Sequence, residues 1–117
     1  MKLWHSLAFV ILTALYITGC SASTDIRSGV NNMTSILQSM EQQIEAGNQA
    51  KVLEQSNLLE KEWSQFEDQV KVKLSDVYEK VETPLTLIEA SAKHSPLDAK
   101  ILTHAVQQLK QALTEIQ

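Results

Sequence analysis

The sequence predicts an all-α domain, an antiparallel four-helix bundle, and three observations lead there. Glycine and proline nearly vanish after residue 20, leaving only Gly29, Gly47, Pro84 and Pro96, while the strong helix formers Gln, Glu, Lys, Leu and Ala fill much of the rest. Apolar residues recur at steps of three and four, the spacing that gathers them on one face of an α-helix. The punctuation divides the chain into segments 25–46, 48–70, 74–93 and 96–116, each close to twenty residues and so about 30 Å long as a helix. Rods of matched length can share one core.

Ahead of the helical part, Met1-Lys2 leads into the apolar run Leu7 to Ile17, which stops at Ile17-Thr18-Gly19-Cys20. A short basic start, a brief apolar run and small residues at the cut are what export machinery reads. The run is eleven residues long, well short of the about 20 that a membrane-spanning helix needs. This segment resembles a bacterial lipoprotein signal peptide ending in a lipobox. The resemblance implies cleavage after residue 19, a lipid on Cys20 and a domain held on the extracytoplasmic side of a bacterial membrane. Each buried methylene contributes about 0.8 kcal/mol and one chain binds only marginally, so the two or three chains of a lipoprotein form a lasting anchor. Residues 20–24, Cys-Ser-Ala-Ser-Thr, are small and polar and read as a short tether to a single domain over 25–117.

Charge and cysteine narrow the function classes. Lys2 leaves with the signal segment, so nine basic residues face fourteen acidic ones in the remainder. There is no basic stripe to neutralise phosphates, and no nucleic-acid partner is expected. The one cysteine would carry the lipid, which leaves none for a disulfide, so stability is expected from packing alone.

The first helix has the clearest stripe: Ile26, Val30, Met33, Leu37, Met40 and Ile44 follow at steps of 4-3-4-3-4. Gly47 suits a left-handed C-terminal cap and Asn48 can cap the next helix, so Ala46-Gly47-Asn48 reads as a tight reversal. From Gln49 to Lys93 the stripe runs through Val52, Leu59, Trp63, Phe66, Val70, Leu74, Val77, Val81, Leu85 and Ile88. Its step changes to 4-4 at Phe66, Val70 and Leu74, and Ser75-Asp76 can cap a new helix, which places a break within 70–76. The alternative is an elongated three-helix form with one long middle helix. Pro84 falls inside the third helix, where it removes a hydrogen bond and is expected to kink it. Ser95-Pro96-Leu97-Asp98 reads as the start of the last helix, with a capping hydroxyl and a proline at the first helical position, followed by the stripe Ile101, Leu102, Ala105, Leu109, Leu113 and Ile116.

No enzyme is expected, because the chain has no glycine-rich phosphate loop, no nucleophile elbow, no His-Glu-x-x-His and no free cysteine nucleophile. His94 reads as a solvent-facing residue at a helix C-terminus and His104 as a boundary residue. The acidic residues are the candidate site. Glu67 follows Trp63 by four, and Tyr78 and Glu82 form an i, i+4 pair. A reversal near 70–76 would bring Glu67 and Asp68 toward Tyr78, Glu79 and Glu82 across a helix seam, a set of hard oxygen donors suited to a cation. The competing explanation is a solvated face, since Lys61, Lys71, Lys73 and Lys80 are interleaved with the acids.

The run from Trp63 through Glu67, Lys71, Ser75 and Tyr78 to Glu82 resembles the helical extracytoplasmic domain of bacterial Ftr-type iron permeases, which carries a tryptophan, a Glu four later, a basic residue, a Ser and a Tyr-x-x-hydrophobic-Glu in this order. The similarity extends over about residues 30–116, with its specific part in those twenty residues. It implies a helical bundle concerned with iron, with Glu67, Tyr78 and Glu82 as the matching ligand positions and a membrane permease as partner. The permease's membrane helices and its Arg-Glu-x-x-Glu motifs are absent from this chain, so binding, delivery or regulation is implied and not transport. Two functions follow as expectations: a membrane-anchored, non-enzymatic binding or accessory protein in iron uptake, or a metal-free helical interaction module of the cell envelope.

Overall fold

The computed structural model describes residues 25–116. The signal segment 1–19, the lipobox residues Ile17, Thr18 and Gly19, Cys20 and the rest of the 20–24 tether lie outside the described residues. Within them the fold is all-α and bundle-like, with five helices: α1 (Ile26–Glu45), α2 (Gln49–Ser64), α3 (Glu67–Lys73), α4 (Ser75–Ala92) and α5 (Ala99–Thr114).

Helix α1 starts on the carboxylate of Asp25, which accepts from the Arg27 N–H at 3.1 Å, and it buries Val30, Met33, Leu37, Met40 and Ile44, with Ile26 packed at the core margin. The reversal after it is the expected one. Gly47 takes φ 67°, in the left-handed region that favours glycine, and the Asn48 side chain accepts from the Lys51 N–H at 3.2 Å.

Between α2 and α4 the chain breaks twice, where one break within 70–76 was expected. The expected one falls at Leu74, which occupies the cap position of α4 without a side-chain cap bond, so Ser75 is the first helical residue and not the cap. The other lies at Gln65 and Phe66, whose N–H groups reach back three residues, to Glu62 O at 3.2 Å and Trp63 O at 3.0 Å. This tightened turn re-aims the Phe66 ring onto Gly29 of α1, where a β-carbon would stand 2.3 Å from Phe66 Cε1. Trp63 meets the same ring edge-on, with centroids 5.2 Å apart at 83°. A single long middle helix is therefore not formed.

Pro84 is buried inside α4, which continues through it to Ala92. Helix α5 begins three residues later than expected. The Asp98 carboxylate accepts from the Ile101 N–H at 3.1 Å, whereas Ser95 and Pro96 belong to the connection and are joined by a cis peptide bond. The Asp98 oxygen thereby satisfies one of the free N–H groups of the first turn. The stripe that α5 buries is Leu102, Ala105, Val106, Leu109, Ala112 and Leu113, continued by Ile116 just after it, and Ile101, expected in it, lies off that face and is 43% exposed.

Helix α1 packs on α2 and α5, and α4 packs on α2, α5 and α3. Along α1 and α2, Asn32 bonds to Glu62 and Ser39 to Gln55: one number rises by seven as the other falls by seven, which is antiparallel pairing. The buried stripes meet in one core around Trp63, Met33, Leu59, Val81 and Leu109. Each such fully buried side chain contributes about 1.5–3 kcal/mol relative to exposure.

Candidate functional site

The predicted site residues lie where α2 and α3 face α4. Trp63, on the last turn of α2, is completely buried. Its indole N–H donates to Glu82 Oε1 on α4, which satisfies a buried donor. Tyr78, one turn before Glu82, stacks on the Trp63 ring with centroids 5.9 Å apart at 29°. The Lys71 ammonium sits over the Tyr78 ring, 5.3 Å from its centroid. Tyr78 thus touches both the Trp63 ring and the Lys71 ammonium, while the Glu82 carboxylate holds the indole nitrogen.

Glu67 joins this group from the first turn of α3. Partial burial, and then the negative charges of Glu82, Asp68 and Glu60, raise its pKa above the ordinary 4.5, against the lowering influence of Lys71. Burial first, followed by Glu82, Glu67, Glu79 and Asp68, likewise pushes the Tyr78 phenol above 10.0. Glu67, Asp68, Tyr78, Glu79 and Glu82 therefore share one field of negative charge, as the expected reversal implies. Charge of one sign held at a partly dry surface favours whatever neutralises it, a proton or a cation.

As a metal centre the donor set is thin. Glu82 has one oxygen committed to Trp63, Tyr78 is held in a ring stack, and among the described residues no group of three or more His, Cys, Asp and Glu side chains is arranged to hold a metal ion.

Two acids of the same seam were missed in the sequence. Glu60 and Glu89 stand seven residues from Glu67 and Glu82, and they pair across α2 and α4 as Glu67 and Glu82 do across α3 and α4. The heptad spacing on two facing helices was the available signal. His94 is exposed at the end of α4, with Nδ1 3.1 Å from the Pro96 carbonyl oxygen, and its own carbonyl accepts from Gln49 Nε2 at 3.0 Å. His104 is fully on the exposed side of α5 and not at the core boundary.

No known protein family, curated protein or solved structure matches the chain.

Proposed function

We propose that this protein is a membrane-anchored lipoprotein, fixed through lipid on Cys20 to the extracytoplasmic side of a bacterial membrane. It acts there as a non-enzymatic accessory protein, a metal-free helical interaction module of the cell envelope. Its helices form an antiparallel four-helix bundle in which α2 and α3 together make one rod. The anchor is supported by the run ending at Ile17-Thr18-Gly19-Cys20. Between the two expected functions, one observation carries the choice: the Glu82 carboxylate is spent on the Trp63 indole. A residue that the permease resemblance implies as an iron ligand is here a fastening between α2 and α4.

A second reading keeps a specific observation of its own. The crowding of negative charge that raises the Glu67 and Tyr78 pKa values supports transient capture of a cation, iron by the resemblance, for delivery to a membrane permease. Calorimetric titration with Fe²⁺, Fe³⁺, Cu²⁺ and Zn²⁺ separates the two. The metal-free module gives no binding tighter than about 10 µM, roughly −7 kcal/mol. Tighter binding that Glu67→Gln or Glu82→Gln weakens would replace it with the cation reading.

A further inference from the structure

The acidic seam continues past the residues tied to Trp63, toward the end of the domain where α2 begins and α4 ends. There a recess of about 250 Å³ is lined by Asn57 and Glu60 of α2, by Glu89 of α4 and by Lys93 just after it. Helices α1, α3 and α5 contribute no lining residue to it. Both glutamates line the recess; Glu60 is exposed and Glu89 half-buried, and Glu89 Oε1 is shut away from solvent with no hydrogen-bond partner.

An enclosed carboxylate oxygen without a donor is costly. The side chain facing it is a second carboxylate, which can donate only when it carries a proton. We propose that Glu60 and Glu89 share one proton across α2 and α4, forming a clasp that closes on acidification and opens when the second carboxyl ionises. In the closed form the Glu60 hydroxyl donates to Glu89 Oε1. On opening, that proton passes to water and two like charges face each other over the recess.

The charged surroundings agree. The hydrogen bond to Glu89, then burial, then the Glu89 charge hold the Glu60 carboxyl above the ordinary 4.5. Lys93, at the rim of the recess, is the cation nearest in the lining, and Glu67 of α3, one heptad along, adds negative charge of the same seam. The sign follows from linkage: a carboxyl whose folded-state pKa is raised stabilises the fold below its unfolded pKa, and that contribution is lost as pH rises through the folded value. The clasp does not rest on the cation reading: Glu60 acts on Glu67 through its charge, but neither Glu60 nor Glu89 belongs to the Glu67, Tyr78 and Glu82 set.

The test is an NMR titration of the glutamate side-chain carboxyls in the full chain, in detergent, from about pH 3 to about pH 8, paired with amide hydrogen exchange. The wild type should show Glu60 titrating above the ordinary carboxylate range. Amides of α2 and α4 around residues 57–60 and 89–93 should open more readily as that titration completes, after correction for intrinsic exchange. In Glu89→Gln the amide donates at every pH, so Glu60 should titrate in the ordinary range and the pH-linked opening should disappear. Glu67→Gln should leave the Glu60 titration raised. The clasp is wrong if wild-type Glu60 titrates like a free carboxyl, if its shift survives Glu89→Gln, or if the seam amides do not respond to pH.

Discussion

The indole N–H of Trp63 donates to the carboxylate of Glu82, 2.5 Å away across the seam between α2 and α4. Trp63 is fully buried, so its donor has no water to fall back on. Glu82→Leu should strand that donor and cost about 1–3 kcal/mol in urea unfolding, whereas Glu82→Gln keeps an acceptor and should cost less. Equal losses for the two substitutions would mean that the bond contributes nothing and that only the shape of Glu82 counts.

Gly29 and the Phe66 ring form the second fastening, since any β-carbon at position 29 collides with the ring. Gly29→Ala should destabilise the domain by about 1–3 kcal/mol through overpacking, even though alanine is the better helix former. Phe66→Leu should relieve the collision, so the double variant should be more stable than the two single losses added together. Thermal unfolding of the four proteins measures this directly.

Helix α5 is capped by Asp98 and not by Ser95. Asp98→Ala should lower stability by about 1 kcal/mol, while Ser95→Ala should fall within about 0.5 kcal/mol of the wild type. The reverse order would place the helix start back at Pro96.

Glu67 titrates above 4.5 because it is partly buried and faces Glu82, Asp68 and Glu60. Its raised folded-state pKa means that neutralising it favours the fold, and that this contribution fades as pH rises through the folded value. Glu67→Gln should therefore flatten the pH dependence of stability on the alkaline side of 4.5 and leave the acid side little changed. Added salt should flatten it less, because it screens the neighbouring carboxylates and leaves the larger contribution of burial in place.

Cys20→Ala should release the protein from the membrane fraction or leave its precursor unprocessed. Unchanged fractionation would remove the lipid anchor from the proposed function.

The chain alone carries the all-α class, the α1 stripe, the Gly47-Asn48 reversal and a break near Leu74, because each rests on spacing or backbone preference within a few residues. The meeting of Glu67 with Tyr78 and Glu82 was also legible, once that break folds two charged stretches against each other. The break at Gln65-Phe66 was not, since the ring that follows it seats against Gly29, thirty-seven positions earlier in the sequence. Nor was the role of Glu82: a carboxylate on a helix face looks the same in sequence whether it meets water, a cation or the N–H of a buried tryptophan. Local preferences are written in neighbouring residues, whereas the partner of a side chain is chosen by packing between helices distant along the chain.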